Sequence, residues 1–188
     1  MTLRLLGVVR AGHPRALRLV SWEDLAMVVG DADGDLDPAS HLVTVSELVR
    51  HGPVLPVRFG TVAADEDAVR TEVLAPSAEV FRADLDRLDG LAEVHVGLRF
   101  GGGPAWRPAR SNGLLRAVSD RAREAVRLPP GEHADERWAF LIGMGELPVV
   151  RETVAALDGD PDVRAEYVGP LPAYSFLGRR AAGSRWGF

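Results

Sequence analysis

Apolar and polar residues alternate most regularly at residues 92–100, and this alternation is typical of a β-strand. One face of the predicted strand is apolar and consists of Val94, Val96, Leu98 and Phe100. The opposite face is polar and consists of Glu93, His95, Gly97 and Arg99. A strand with one polar face favours an antiparallel sheet that exposes one side to water, because parallel sheets bury both sides.

Other apolar runs predict further strands, and apolar residues at helical spacing predict helices between them. The strands are predicted at residues 3–10, 15–22, 25–29, 54–59, 137–144 and 163–168. The helices are predicted at residues 38–51, 65–88, 110–127 and 146–158.

Local residues mark the ends of the predicted helices. Asp37 and Pro38 are suited to the cap and first position of the first helix, and Gly52 is suited to end it. The spacing places Leu42 on the inner face of that helix. Pro76 is expected to break or kink the second helix, because proline cannot donate a backbone hydrogen bond.

The mixture of helices and one-sided strands predicts an α+β fold with mainly antiparallel sheets. We interpret it as two ferredoxin-like α/β sandwich layers, each a small sheet covered by two helices. An N-terminal ferredoxin-like domain is predicted at 1–100 and a C-terminal α+β domain at 101–177, with the glycines at 101–103 as linker. Residues 178–188, rich in glycine and arginine, are predicted to form a flexible tail.

Composition excludes several classes of protein and site. The 188 residues include no cysteine, so disulfides, thiolate zinc sites, iron–sulfur clusters and cysteine nucleophiles are ruled out. The net charge of -5 argues against a general nucleic-acid binder. No apolar run reaches the roughly 18 residues that span a bilayer, and the N-terminus lacks a signal-peptide pattern. A cytoplasmic protein is therefore expected.

Motifs of catalysis and nucleotide binding are incomplete. The glycines at 101–103 follow a predicted strand, but the chain has no lysine for a Walker motif. Trp106 stands where a dinucleotide fingerprint needs its third glycine. A Gly-x-Ser-x-Gly elbow is also missing. We therefore predict no catalytic or cofactor-binding residue, no cofactor and no enzymatic activity.

Metal-binding motifs are incomplete as well. Asp31, Asp33 and Asp35 resemble the start of a calcium loop, but its later glycine and glutamate are missing, and a solvated acidic turn is favoured. The histidines lack the spacing of helical zinc ligands and are expected at the surface or at helix ends. They are His13, His41, His51, His95 and His133.

Two segments are unusually rich in proline, glycine and aromatic residues. They are residues 51–62, with the sequence HGPVLPVRFGTV, and residues 167–176, with the sequence YVGPLPAYSF. Together they resemble the signatures of the GvpL/GvpF gas-vesicle family, a P-V-L-P-x-R-F-G-T-V core and a later aromatic-x-G-P-x-P-x-Y-S-F segment. The candidate site residues that carry this resemblance are Pro53, Pro56, Arg58, Phe59, Gly60, Thr61, Gly169, Pro170, Pro172, Tyr174, Ser175 and Phe176.

The resemblance implies a role in gas-vesicle formation, a ferredoxin-like N-terminal domain and a second α+β domain. It implies contacts with the hydrophobic shell protein and other accessory proteins during assembly, or a place on the vesicle as a minor component. No catalytic residues come with it. The chain departs from the family at residues 3–10, which lack a tyrosine-rich opening, and between Phe100 and Trp138, where a charged helical insertion is missing.

The chemistry of the signature residues leaves two interpretations open. Pro56 has no backbone donor, so the predicted strand at 54–59 should be an edge strand or carry a bulge. The guanidinium of Arg58 is suited to binding a carboxylate or carbonyl groups. These residues form either a partner-binding site or a structural unit, with a buried Arg58–carboxylate tie and a C-terminal strap anchored by Tyr174 and Phe176.

Two other classes of function are alternatives. The first is a nucleotide- or small-molecule-binding enzyme that uses residues 101–103 and Arg58, and a ligand-dependent rise in melting temperature would favour it. The second is a regulatory or RNA-binding ferredoxin-like module, which a salt-sensitive gel shift would favour.

Overall fold

The computed structural model describes residues 1–14, 18–32, 37–101 and 107–177. Contacts divide the chain into two units. Unit 1 comprises Met1–Gly90 and, among the described residues, 171–177, whereas unit 2 comprises Leu91–Pro170. The domain limits inferred from the sequence differ from these units at residues 91–100 and 171–177, and they remain a prediction about folding domains.

Unit 1 contains a sheet with the strand order β2-β3-β1-β4, in which β5 also pairs with β1. Its strands are β1 (Leu3–Arg10), β2 (Leu19–Trp22), β3 (Leu25–Asp31), β4 (Leu55–Pro56) and β5 (Val62–Ala63). Its helices are α1 (Pro38–Val49), α2 (Glu66–Ala68) and α3 (Ala75–Leu88), with a π-helical segment (Val69–Leu74) between the last two. The described part of the predicted strand at 15–22 agrees, and Leu17 lies outside the described residues.

Strand β1 is central because it pairs antiparallel with β3 on one edge and with β4 and β5 on the other. Gly7 of β1 lies opposite Pro56 of β4. A Cβ atom at Gly7 would lie 2.8 Å from Val54 Cγ1 and 3.0 Å from the Leu55 carbonyl oxygen. The missing side chain therefore allows β4 to approach β1. Pro56 lies in the edge strand that the sequence predicts, although β4 has two residues instead of the six predicted at 54–59.

Helix α1 begins as predicted, since the Asp37 carboxylate accepts a hydrogen bond from the Ser40 amide at 2.9 Å. The predicted inner face of the helix is partly wrong. Leu42 is exposed, and His41 is buried beside Val45 and two further apolar residues. Val45, Leu48 and Val49 are buried as predicted, so the prediction is wrong in the first turn, where His41 and not Leu42 faces inward.

Pro76 is accommodated without a break in the helical path. The π-helical segment ends in a hydrogen bond from the Ala75 amide to the Arg70 carbonyl, five residues back. Pro76 then falls in the first turn of α3, where its missing N–H is not needed. The predicted break or kink takes the form of a local widening of the helix.

Unit 2 contains a four-stranded sheet with the order β7-β8-β6-β9. Its strands are β6 (Leu91–Phe100), β7 (Ala122–Leu128), β8 (Glu136–Gly143) and β9 (Val163–Leu171), the last of which ends one residue into unit 1. Its helices are α4 (Arg107–Leu114), α5 (Arg116–Ser119) and α6 (Leu147–Ala156), with short 3-10 turns at Met144–Glu146 and Leu157–Gly159.

Strand β6 pairs antiparallel with β8 over most of its length. It is also antiparallel to β9, because the Gly101 amide donates to the Asp162 carbonyl at 2.9 Å whereas Gly169 lies beside Val94. The chain thus has an α+β fold with two antiparallel sheets, as predicted. None of the helices in the described ranges combines the length and apolar character needed to cross a membrane.

The predicted apolar face of β6 is confirmed and forms the core of unit 2 with residues of α5, α6, β8 and β9. The buried members of this core are Val94, Val96, Leu98, Phe100, Leu115, Val118, Phe140, Ile142, Val150, Val154 and Val163. Glu93 lies on the predicted polar face with His95, but it is buried there and only 1% exposed, whereas a solvated face was expected. Its carboxylate is hydrogen-bonded to Nε2 of His95, and this partner lowers the free-energy cost of burying it.

The predicted helix at 110–127 is wrong in its second half. The chain forms two short helices that end at Ser119, and residues 122–128 then form β7, which pairs with β8. Residues 122–128 contain alanine, arginine and glutamate, which favour helix intrinsically. Pairing with the buried strand β8 overrides that preference. The pattern of apolar residues did not indicate this strand, because β7 is an edge strand and most of its residues are exposed.

Candidate functional site

The two signature segments come together within unit 1. Residues 53–62 form β4, a turn and the first residue of β5, and residues 172–176 follow the end of β9. The Tyr174 hydroxyl donates to the Val57 carbonyl oxygen at 3.5 Å and lies 3.4 Å from Nε2 of His41. The structure therefore brings a signature tyrosine to the backbone of the first segment. Gly169 and Pro170 belong to unit 2.

His41 lies at the centre of this arrangement, although the sequence placed it at the surface or a helix end. Its side chain is 2% exposed, and its Nε2 lies 3.1 Å from the Val57 carbonyl oxygen. Its ring meets that of Phe59 edge-on with 5.6 Å between the ring centres. Its spacing of four and seven residues from Val45 and Leu48 is the signal that could have identified it as an inner residue.

Burial lowers the pKa of His41 below its ordinary value. The hydrogen bond to the Val57 carbonyl opposes this effect, and the nearby charge of Arg4 adds to it. The ring is therefore neutral at pH 7, and its Nε2–H donates to Val57. Its Nδ1 atom is buried and has no hydrogen-bond partner within the described ranges.

The turn at residues 58–61 is held by its own backbone. The Arg58 carbonyl oxygen accepts from the Thr61 amide at 3.2 Å and from the Thr61 hydroxyl at 2.9 Å. Gly60 has φ +85°, a conformation that residues with a side chain rarely adopt. These interactions give the turn a defined geometry.

Arg58 projects from this turn into solvent. Across the part of the chain that the structure describes, its guanidinium makes no ion pair and no hydrogen bond. The interpretation of a buried Arg58–carboxylate tie is therefore wrong. Phe59, next to it, is 43% exposed even though its ring contacts His41. Tyr174 is 38% exposed, so a cation and two aromatic rings stand at the surface.

The remaining signature residues of the C-terminal segment pack into unit 1. Pro172 and Phe176 are buried, and Ser175 is half-buried. The Phe176 carbonyl oxygen accepts from Arg87 Nη2 at 2.8 Å, which ties the segment to the end of α3. The Phe176 side chain is thus buried and that of Tyr174 is exposed, and the strap interpretation stays a prediction.

Gly169 serves close packing within unit 2. A Cβ atom there would lie 2.8 Å from Val94 Cγ1 and 3.3 Å from the Glu93 carbonyl oxygen. The peptide bond between Gly169 and Pro170 is cis. A larger residue at position 169 would push β9 away from β6, so this part of the signature is structural.

Within residues 1–14, 18–32, 37–101 and 107–177, no group of three histidine, aspartate or glutamate side chains is arranged to bind a metal ion. Asp33, Asp35, residues 102–103 of the predicted linker and the tail at 178–188 lie outside the described residues.

Comparisons with known proteins agree with this fold. A family model described as "Gas vesicle synthesis protein GvpL/GvpF" matches residues 4–102 and 104–178. Gas vesicle protein F of Streptomyces sp. (strain CB03234) is 31% identical over 114 residues, which are 51% of this chain and 48% of that protein. The chain therefore matches about half the length of this curated relative.

Two crystal structures have a similar fold. Gas vesicle protein GvpF from Anabaena sp. PCC7120 superimposes with a TM-score of 0.77 at 18% identity, covering 94% of this chain and 96% of that one. GvpF from Microcystis aeruginosa superimposes with a TM-score of 0.76 at 16% identity, covering 93% and 98%.

Proposed function

Because the chain belongs to the gas vesicle synthesis protein GvpL/GvpF family, we propose that it acts in the assembly and organisation of gas vesicles by binding other vesicle proteins. Its partners are the hydrophobic shell protein and other accessory proteins, and it works in the cytoplasm in association with the vesicle. The family comprises gas vesicle proteins and not known enzymes, so binding, not catalysis, is the activity to explain.

We assign shell-protein binding to the signature surface, defined as Arg58, Phe59, Gly60, Thr61 and Tyr174. The observation that carries this assignment is the exposed guanidinium of Arg58, which has no partner in the described ranges. Other arginines of unit 1 form ion pairs with carboxylates, including Arg10 with Asp24 and Arg82 with Glu23. Arg58 is therefore available to a partner.

The signature surface is preorganised, which reduces the entropy lost on binding. The hydrogen bonds from Thr61 to the Arg58 carbonyl oxygen fix the turn, and the buried His41 ring packs edge-on against the Phe59 ring. Tyr174 adds a second aromatic ring whose hydroxyl is already bonded to the backbone. Arginine and aromatic residues commonly carry much of the energy of protein interfaces.

The chemistry of this surface supports a particular kind of partner segment. The fork of Arg58 can bind both oxygens of a carboxylate, and Phe59 and Tyr174 offer apolar area beside it. The matching element is an acidic side chain followed or preceded by apolar residues. We expect the hydrophobic shell protein to present such an element to Arg58.

Vesicle formation in cells tests the proposed function. A vesicle-forming strain that lacks this protein should form few or misshapen vesicles, and the wild-type chain should restore them. Arg58→Ala should fail to restore normal vesicles, whereas Arg50→Ala, which removes an exposed arginine of a surface ion pair, should succeed. Normal vesicles in the deletion strain would refute the assembly role.

We also propose that unit 2 is a ferredoxin-like layer. Its elements follow the order βαββαβ, and its strand order β7-β8-β6-β9 is that of the split β-α-β arrangement. In unit 1, three strands precede the first helix in the described part of the chain, so its element order is different.

A further inference from the structure

Unit 2 has a surface of its own that combines a cavity with charged side chains that form no ion pair among the described residues. The cavity has a volume of about 310 Å³ and lies on the side of the sheet that faces away from the core and its helices. Strands β6, β8 and β9 and the connection between β7 and β8 surround it. We call it the charged slot and define it by His95, Gly97, Gly131, Ala134, Arg137 and Glu166.

The slot exists because its floor has small residues. Gly97 of β6 is paired with Arg137 of β8. A Cβ atom at Gly97 would lie 3.2 Å from the Ala134 Cβ and 3.8 Å from Oε2 of Glu166. Since β6 lies between β8 and β9, Arg137 and Glu166 rise from the strands on either side of Gly97. The backbones of those two strands are about 10 Å apart, twice the usual spacing.

Arg137 and Glu166 are not used within the protein. Neither side chain makes a hydrogen bond or an ion pair in the described ranges. Elsewhere in unit 2, Arg110 pairs with Asp160 and Arg127 pairs with Glu136. A cation and an anion on opposite walls of one cavity, neither neutralised by a neighbour, present two opposite charges to a ligand.

His95 gives the slot a fixed polar wall. Its Nε2 is hydrogen-bonded to the carboxylate of Glu93, which is almost completely buried. This bond orients the imidazole, which lines the slot. A buried polar group that fixes a side chain of the cavity distinguishes the slot from a chance surface depression.

We infer that the charged slot binds a polar segment of a second gas-vesicle accessory protein, a segment that presents a basic side chain to Glu166 and an acidic one to Arg137. This inference depends on the proposed function in gas-vesicle assembly. The slot combines both charge signs with a glycine floor, so its chemistry matches a charged polypeptide and not the hydrophobic shell protein. The signature surface and the slot would then hold different partners.

Binding measurements with purified proteins test this inference. The full-length chain is immobilised, and the shell protein and each accessory protein of the same vesicle system are applied one at a time. The double variant Arg137→Gln with Glu166→Gln removes both charges of the slot. The matched control, Arg151→Gln with Glu152→Gln, removes the same charges from exposed positions of α6.

The wild-type chain should bind at least one accessory protein, and the slot variant should weaken that binding by about tenfold or more. The control variant should bind as the wild type does, and all three proteins should melt at similar temperatures. Equal affinities of the slot and control variants, or no accessory protein bound by the wild type, would overturn the inference. Shell-protein binding by Arg58→Ala is measured separately. A failure of the proposal for the signature surface can therefore be distinguished from a failure of the proposal for the charged slot.

Discussion

The two signature segments contain similar residue types but use them in opposite ways. In the first segment, the backbone is fixed and the side chains of Arg58 and Phe59 are displayed to solvent. In the second, Phe176 is buried and Gly169 allows two strands to approach. Tyr174 connects them, with its hydroxyl bonded inward and its ring at the rim. Residues of one family signature can thus be exposed for binding or buried for packing, and the burial of each side chain distinguishes these two roles.

The largest effect on stability is expected from Phe176→Ala. Removing a buried aromatic ring forfeits the free energy gained by taking its apolar surface out of water, and it leaves a cavity. The free energy of unfolding should therefore fall by about 3 kcal/mol. Calorimetric unfolding measures this loss. Val43→Ala, at an exposed position of α1, is the matched control and should change stability by less than about 0.5 kcal/mol. A loss as small as that of the control would contradict the packing role of Phe176.

Gly169→Ala should lower the free energy of unfolding by a smaller amount, about 1–3 kcal/mol, because the new methyl group would overlap Val94. Gly159→Ala is the control, since a Cβ atom there meets no atom within 4 Å. Chemical denaturation followed by fluorescence can compare the two variants. Equal stability of the variants would indicate that β9 shifts without cost, and would remove the structural explanation for this glycine.

Acidification should destabilise the core beneath the signature surface through His41. Burial lowers the pKa of folded His41 below 6.5, so the unfolded chain binds the proton first as the pH falls. The stability contributed by neutral His41 is fully present above pH 6.5 and is lost as the pH falls through the folded pKa. His13, whose pKa burial also lowers, acts in the same direction.

Unfolding measured at a series of pH values between 7 and 5 checks the effect of His41. His41→Gln should show a shallower loss of stability with falling pH than the wild type, because the variant removes the titrating group. His133→Gln changes an exposed histidine and is the control. Identical pH dependence in the His41 variant and the wild type would contradict the account.

The smallest effect on stability should come from Arg58→Ala. An exposed side chain without a partner in the described ranges contributes little to folding, so the change should stay within about 0.5 kcal/mol. A thermal melt of the variant against Arg50→Ala provides the check. A fall of several degrees would show that Arg58 has a structural role, and would weaken the comparison between display and packing.

Much of this fold was predictable because many strands and helix ends carry local signals. The alternation in β6 and the cap at Asp37 are read directly from neighbouring residues. Strand β7 was not predictable, because its polar edge residues favour helix and only pairing with β8 determines its state. The contact between Tyr174 and Val57 was also not predictable, because these residues lie 117 positions apart in the sequence.

The candidate site was predictable in its residues but not in their roles. The signature pattern selected Arg58, Phe59 and Tyr174, yet it could not distinguish a buried ion pair from an exposed cation. That distinction depends on which charges the rest of unit 1 brings near Arg58. The sequence predicts His41 at the surface or at a helix end, although its helical spacing from Val45 and Leu48 places it among the inner residues.

The most direct test of the central claim is the affinity of the purified full-length chain for the gas-vesicle shell protein. Wild type, Arg58→Ala, Arg58→Lys and Arg50→Ala are compared at matched salt concentration, after each is shown to fold. Arg58→Ala should bind at least about tenfold more weakly than the wild type, and Arg58→Lys should recover only part of the affinity, because lysine lacks the planar fork. Wild-type affinity in Arg58→Ala would contradict the assignment of shell-protein binding to the signature surface.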